Sequence, residues 1–167
     1  MSEKKLPRVV LDTVVFVQAL ISGRGSSAAC VDRLKHGEFI LLLSNAVIEE
    51  IREVPLRPEL TRKYSQLTLA RVIAFLDDIV AIAILIPSPP AVFKLPRDPK
   101  DEPFINLAIA GDADYLVTWN DRHLTYLMKR DTPEGEEFCS RFPAIRIANP
   151  PAFLGAIEAQ KPSAAEE

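Results

Sequence analysis

The chain has 167 residues, of which 48% are hydrophobic and 26% charged, and its formal net charge at pH 7 is −3. This size and composition predict one domain with a sizeable buried core. The slightly acidic balance excludes a protein that binds nucleic acid through a generally basic surface, so any contacts with nucleic acid would have to be local.

Two features predict a cytoplasmic protein without a membrane segment. The most apolar stretch, residues 79–86, is far shorter than the roughly 20 residues that a membrane helix needs, and we expect it to be buried inside the protein. Cys30 and Cys139 form no C-x-x-C pair, which argues against a disulfide framework and against a zinc site. A reducing compartment is therefore expected.

Apolar runs and helix signals alternate along the chain. Short apolar runs ended by polar residues predict four buried strands, at residues 8–11, 39–43, 114–118 and 144–147. Helical spacing and capping residues predict helices at residues 14–21, 26–36, 46–54, 68–80, 103–110 and 121–129. This order predicts an α/β fold, a three-layer α/β/α sandwich around a mostly parallel sheet.

We expect a single domain over residues 1–155 and a tail over residues 156–167. The chain contains no internal repeat that would suggest a second unit. After Leu154 the apolar pattern is lost, which is typical of a disordered end.

Polar side chains follow three of the predicted strands at their carboxyl ends, where open α/β sheets build their sites. Asp12 and Thr13 follow the first strand, Ser44 follows the second, and Thr118 ends the third. An Asp in this position is often only a cap, but no glycine or proline stands beside Asp12 to make a turn. The sequence therefore favours a functional site at this edge of the sheet.

Glu50 is the carboxylate of its helix that is expected to reach this edge. In a projection of residues 46–54, Glu50 falls at the border of the apolar stripe, whereas Glu49 and Glu53 project towards solvent. A border carboxylate could instead pair with a basic side chain on the surface, and both interpretations stay open.

Asp98 and Asp101 stand in a proline-rich loop just before the helix at residues 103–110. One of them, with Asp101 as the first choice, is expected to cap that helix. Capping and metal binding are compatible, because a capping carboxylate keeps a second oxygen free. Asn120 and Asp121, which follow the third strand, could add further oxygens to the cluster.

A cluster of this many acidic groups predicts a bound divalent cation, because the groups would otherwise repel each other and repel a phosphodiester. Since all the candidate ligands are oxygens, they favour Mg²⁺ or Mn²⁺ over zinc. A water activated by such an ion could attack phosphorus, so no Ser-His-Asp or Cys-His pair is required. His123 is interpreted as a residue on a helix face.

The ordered set of motifs resembles the PIN-domain family over nearly the whole chain. The matching segments are VVLDTVVFVQALIS (9–22), LLLSNAVIEEIREV (41–54), RDPKDEPFINLAIAGDADYLVT (97–118) followed by WNDRHL, and IRIANPPAFL (145–154). The similarity is greatest to the toxin components of toxin–antitoxin pairs, the VapC-like ribonucleases. The resemblance implies a PIN-like fold and a Mg²⁺- or Mn²⁺-dependent endoribonuclease that hydrolyses RNA phosphodiester bonds. It also implies a small antitoxin protein as partner and a homodimer.

The resemblance also assigns roles to single residues. The family's metal-binding and catalytic acids fall on Asp12, Glu50 and Asp101, with Asp98 as a loop partner. Thr13, Ser44 and Thr118 would support them.

Two positions depart from the family pattern. The family's Thr-x-Asp motif corresponds to Thr118, Trp119 and Asn120, so an amide replaces a carboxylate, and Asp121 could supply the lost charge. Val14 stands where related proteins usually carry Asn. These changes support an alternative function, a catalytically weakened or inactive PIN-like domain that acts as an RNA- or protein-binding module.

Two other classes of protein are disfavoured. Phosphatases of the haloacid-dehalogenase type also place an Asp after the first strand, but they need a second acid where Val14 stands. A flavodoxin-like or nucleotide-binding module would need a Gly-rich phosphate loop after that strand, and none is present.

Some apolar side chains are candidates for contacts with RNA or with a second subunit. Aromatic residues that could stack bases, although packing is the expected role of each, are Trp119, Tyr126 and Phe93. Apolar helix positions that could serve a dimer are Val72, Phe75 and Ile79.

Overall fold

The structure, a computed structural model, describes residues 5–161, and five parallel strands form one sheet within them. The strands are β1 (Arg8–Leu11), β2 (Ile40–Leu43), β3 (Ile84–Leu85), β4 (Tyr115–Val117) and β5 (Arg146–Ala148). Their order across the sheet is β3-β2-β1-β4-β5, which places β1 at the centre. The predicted parallel α/β fold is confirmed, with one edge strand more than the sequence indicated.

Eight α-helices accompany the sheet within the described residues, as expected for an α/β/α sandwich. They are α1 (Thr13–Ile21), α2 (Ser26–Lys35), α3 (Asn45–Glu53), α4 (Pro58–Thr61), α5 (Leu69–Ile82), α6 (Glu102–Ala110), α7 (Pro133–Arg141) and α8 (Pro150–Ala159). Shorter 3-10 segments lie at Val54–Leu56, Pro99–Asp101 and Thr125–Met128. Over residues 5–161 no single helix is long and apolar enough to span a membrane, although the bent pair α1 and α2 together has the required length and composition.

The central strands are apolar on both faces because helices cover both sides of the sheet. Every side chain from Val9 to Leu11, and from Leu41 to Leu43, is buried in the main core. Burial of each such side chain contributes about 1.5–3 kcal/mol, which fixes the strands in place. Polar side chains are first tolerated where the strands end, and this is where the site lies.

The predicted helix at residues 121–129 is wrong, because only Thr125–Met128 forms a short 3-10 segment there. The side-chain oxygen of Asn120 accepts a hydrogen bond from the His123 N–H at 3.2 Å, and the Asn120 carbonyl accepts one from the Leu124 N–H at 3.1 Å. The carbonyls of Asn120 and Asp121 also accept hydrogen bonds from the N–H groups five residues on, those of Thr125 and Tyr126, both at 3.2 Å, which departs from the i to i+4 pattern of an α-helix and produces a compact turn. The turn brings His123 to the edge of the sheet.

The expectation that residues 79–86 are buried is wrong for every residue of this stretch except Ile79. Helix α5 ends within it, with Val80 and Ile82 exposed, and the unpredicted strand β3 follows. Ile84 and Leu85 are exposed, because β3 is an edge strand that pairs only with β2.

The helix positions suggested for a dimer interface are wrong for two of the three residues. Val72 and Ile79 are fully buried, because helical spacing of apolar residues marks the face that packs on the core. The large apolar side chains that α5 exposes are instead Leu69, Ile73, Val80 and Ile82.

The C-terminal part of the chain is more helical than the sequence predicted. Helix α7 was not predicted, although Thr132 caps it by accepting a hydrogen bond from the Gly135 N–H at 3.0 Å. Helix α8 continues to Ala159 and buries Ile157, so the predicted disordered tail is wrong for residues 156–159. Residues 162–167 of that tail lie outside the described residues.

Candidate functional site

Asp12 lies at the carboxyl end of the central strand and is only 6% exposed. It precedes α1 without making a side-chain capping bond. The hydroxyl of Thr118, which follows the neighbouring strand β4, donates a hydrogen bond of 2.7 Å to Asp12 Oδ2. Because β1 and β4 pair in register up to Leu11 and Val117, the sheet itself sets the orientation of this carboxylate.

Glu50 reaches the site from α3. The helix starts at a fixed point, because Ser44 at the end of β2 accepts a hydrogen bond from the Val47 N–H at 3.2 Å. Glu50 is half-buried, whereas Glu49 is exposed and pairs with Arg52 at 3.2 Å. The structure therefore separates the two acids as the helical projection predicted.

The next two residues after Asp12 differ in exposure. Thr13 is buried, and its hydroxyl has no hydrogen-bond partner within the described residues. Val14 is exposed, so an apolar side chain faces solvent two residues after Asp12.

Asp98 caps the short 3-10 segment Pro99–Asp101, and neither acid caps α6 through its side chain, so the prediction that one of them caps this helix is wrong. Asp98 Oδ1 accepts a hydrogen bond from the Lys100 N–H at 3.1 Å, whereas Asp101 makes no side-chain capping bond. Asp101 is instead held by Asn120, whose Nδ2 donates to Asp101 Oδ2 at 2.8 Å. Only 13% of the Asp101 side chain is exposed.

A buried asparagine in α6, which the sequence analysis did not select, fixes the loop that carries Asp98. Asn106 Oδ1 accepts hydrogen bonds from the N–H groups of Val92 and Phe93, both at 2.9 Å. Its Nδ2 donates to the carbonyls of Phe93 at 3.1 Å and Glu102 at 3.0 Å. The side-chain amide therefore pins the loop to the first turn of α6.

Burial raises the pKa values of all three predicted acids, and neighbouring carboxylates raise two of them further. Burial raises the pKa of Asp12, and the hydrogen bond from Thr118 offsets part of that rise. Burial and then the charge of Asp12 raise the pKa of Glu50. Burial, followed by the charges of Asp12 and Asp98, raises the pKa of Asp101 to about 6. Carboxylates that destabilise each other in this way are suited to bind a cation.

Residues 8–122 match the family model of the PIN domain, which is more than half of the chain. The chain belongs to the PIN domain family. An uncharacterized protein of Methanocaldococcus jannaschii is similar to this PIN domain, with 30% identity over an alignment of 151 residues. The alignment covers 84% of this chain and 94% of that protein.

A solved structure has a similar fold. It is the crystal structure of VapBC2 from Rickettsia felis bound to a DNA fragment from their promoter. The similarity has a TM-score of 0.51 at 17% identity and covers 85% of this chain and 98% of that chain. At this identity the likeness supports the fold alone, and it agrees with the PIN-like sandwich predicted from the sequence.

Asn120, which the resemblance places at the family's fourth acid, carries an amide that is bonded at both ends. Asn120 donates from Nδ2 to Asp101 and accepts at Oδ1 from the His123 N–H, so both ends of the amide are engaged. Asn120 therefore orients Asp101, and the Oδ1 atom of Asn120 already accepts one hydrogen bond. Asp121 is exposed in the following turn, and its role as a ligand stays a prediction.

His123 is a residue of the site that the sequence analysis missed. Its Nδ1 lies 2.9 Å from Asp98 Oδ2 and 4.0 Å from Asp101 Oδ2. One ligand atom from each of these three residues lies within 4.8 Å of the others. The sequence signal for His123 is its position three residues after Asn120. That spacing points to the site only once Asn120 is known to start a turn.

The chemistry of the carboxylates fits a hard divalent cation. Oxygen ligands are those that Mg²⁺ and Mn²⁺ prefer. The group whose ligand atoms lie together among the described residues is Asp98, Asp101 and His123, so an ion held jointly by Asp12, Glu50 and Asp101, which lie on three separate elements, stays a prediction. The raised pKa values of all three acids have burial as the largest cause, and a bound cation would oppose this by favouring the ionised forms.

Proposed function

We propose that this PIN domain is a Mg²⁺- or Mn²⁺-dependent endoribonuclease that hydrolyses RNA phosphodiester bonds. The observation that carries the proposal is the cluster of acids at the carboxyl ends of the strands, where Asp12 is only 6% exposed and Asp98, Asp101 and His123 each place one ligand atom within 4.8 Å of the others. Burial and mutual repulsion destabilise ionised carboxylates, and a bound cation would stabilise them. The acids also lie at the carboxyl ends of the strands, where α/β sheets build their sites. PIN domains are generally nucleases, which supports this class of reaction.

The residues of the site would have separate tasks. Asp12, Glu50 and Asp101 would hold the ion, Thr118 would orient Asp12, and Asn120 would orient Asp101. A bound divalent cation would offset the negative charge of the phosphodiester and lower the pKa of a water that attacks phosphorus. Burial raises the pKa of Asp12, the hydrogen bond from Thr118 offsets part of that rise, and a bound cation would favour the ionised form further.

The proposal includes a biological role as the toxin of a toxin–antitoxin pair in the cytoplasm. The motif order described above supports this role, and the structurally similar VapBC2 is solved with DNA from its promoter. A small antitoxin protein would then be the partner, and a homodimer the expected assembly. Co-expression with a small DNA-binding protein encoded by the neighbouring gene should give a stable complex that suppresses cleavage. Active, uncomplexed protein after co-expression would contradict the toxin role.

Two carboxylates of the same helix provide a matched test of the nuclease. The purified protein should cleave single-stranded or structured RNA only when Mg²⁺ or Mn²⁺ is present, and calorimetry should show binding of the ion. Glu50→Gln should lose both the binding heat and the cleavage, whereas Glu49→Gln, which changes an exposed acid on the same helix, should keep both.

Two outcomes would contradict the proposal. Cleavage that persists in chelator would exclude a metal-dependent mechanism. A wild-type protein that binds no divalent ion would favour the alternative function, a weakened or inactive PIN domain that binds RNA or protein. The amide of Asn120, in place of a carboxylate, is the feature that supports this alternative.

A further inference from the structure

Trp119 is the single tryptophan of the chain, and it stands between two residues that position the acids. Thr118 before it donates to Asp12, and Asn120 after it donates to Asp101. Since neighbouring Cα atoms are about 3.8 Å apart, the backbone of Trp119 forms part of the rim of the site. Its side chain is nevertheless 39% exposed.

Hydrogen bonds hold the indole ring in this exposed position. Its Nε1 donates to Ser27 Oγ at 3.0 Å, and the buried Ser27 donates in turn to Gln18 Oε1 at 2.6 Å. Turning the ring away from α2 would leave Ser27 without the indole donor. Trp119 is therefore an oriented aromatic surface and not a freely rotating side chain.

The two other aromatic candidates lack a comparable surface. Phe93 is 2% exposed and packs in the core. The ring of Tyr126 is covered by the guanidinium of Arg97, which lies 4.1 Å from the ring centroid. Within residues 5–161, no aromatic or cationic side chain stacks on Trp119.

We propose that Trp119 forms a subsite that stacks an unpaired base of single-stranded RNA next to the phosphodiester to be cut. The inference rests on the proposed function, because the stacked base would belong to the RNA that the proposed nuclease cuts. The acids beside Trp119 repel phosphates, and the net charge of the chain is −3, so an uncharged contact with a base can supply affinity that a basic surface does not. Stacking uses the face of the base, so it accepts any base that is not paired.

The single tryptophan allows a direct fluorescence test. A short, single-stranded oligoadenylate, whose bases are unpaired, is titrated in chelator at low salt into the wild type and into Glu50→Gln, in which one repelling charge is removed. We expect quenching of the tryptophan emission and protection of the indole from acrylamide. A fully paired RNA duplex of the same length should give neither effect. Unchanged emission in both proteins at saturating oligoadenylate would overturn the proposal.

Substitutions separate stacking from the other contacts of the indole. Measured by the anisotropy of a labelled oligoadenylate, Trp119→Ala should weaken binding about 5- to 100-fold. Trp119→Phe keeps a ring but loses the bond to Ser27, and it should retain most of the affinity. Tyr126→Phe, which changes a ring already covered by Arg97, should leave affinity unchanged. Circular dichroism and unfolding midpoints establish that each variant is folded, and wild-type affinity in folded Trp119→Ala would overturn the proposal.

This subsite and the nuclease can fail independently. Quenching by unpaired RNA without any divalent-dependent cleavage would support the subsite and contradict the nuclease. Divalent-dependent cleavage with an unchanged KM in Trp119→Ala would support the nuclease and contradict the subsite.

Discussion

Asp101→Asn is expected to stabilise the metal-free protein and to abolish its response to metal. Folding raises the pKa of Asp101 from the ordinary value of 3.8 to about 6, so the ionised form of this side chain opposes folding at neutral pH. A shift of two pKa units corresponds to about 3 kcal/mol, and solvent screening at a partly buried site reduces this to about 1–2 kcal/mol. The amide oxygen of the variant can still accept the hydrogen bond that Asn120 donates to Asp101 at 2.8 Å.

Urea unfolding in chelator measures this effect. At pH 8 the variant should be about 1–2 kcal/mol more stable than the wild type. Because a raised carboxylate pKa means that the folded state binds the proton more tightly, the wild type should gain stability as the pH falls through about 6 towards 3.8, and the difference should shrink. Adding Mg²⁺ or Mn²⁺ should raise the unfolding midpoint of the wild type but not that of the variant.

Asp77→Asn is the matched control, because it neutralises an exposed acid on α5 that the site does not include. It should leave both the stability in chelator and the response to metal as in the wild type. If Asp101→Asn were less stable than the wild type at pH 8 in chelator, the argument from burial and charge repulsion would be refuted. A full metal response in this variant would refute the role of Asp101 as a ligand.

Three other substitutions test parts of the same arrangement. Thr118→Val keeps the shape of the side chain but removes the hydroxyl that donates to Asp12, and it should cost about 1–3 kcal/mol in urea unfolding, with an unchanged midpoint as the contradicting result. Asn106→Ala should lower the free energy of unfolding by about 2–4 kcal/mol and expose the proline-rich loop to limited proteolysis. A loop as resistant as in the wild type would contradict the role of Asn106 in holding it. Glu50→Gln should melt at or above the wild-type temperature in chelator and gain nothing from Mg²⁺, whereas Glu49→Gln should gain as the wild type does; equal gains in both would remove Glu50 from the ligand set.

Each part of the fold that could be predicted has its sequence signal within a short local segment of its own. The run Leu41–Leu43 is apolar throughout because both faces of a central strand are buried, and Ser44 then follows as a cap. Glu50 could be separated from Glu49 because one helix has a fixed period. Asp12 could be selected because it follows a strand without any residue that would make a turn.

The parts that were not predictable depend on contacts between distant segments. His123 reaches Asp98 only because the side chain of Asn120 closes a turn that replaces the expected helix. Asn106 looks like an ordinary polar position in an apolar helix until the loop of residues 87–98 folds against it. Strand β3 has only two residues, and only its pairing with β2 defines it as a strand.

The hydrogen bond between Thr118 and Asp12 joins residues that are 106 positions apart in the chain. Strand β1 is made first but lies at the centre of the sheet, and its partner β4 is among the later segments to leave the ribosome. The proposed nuclease could therefore not assemble during most of its own translation.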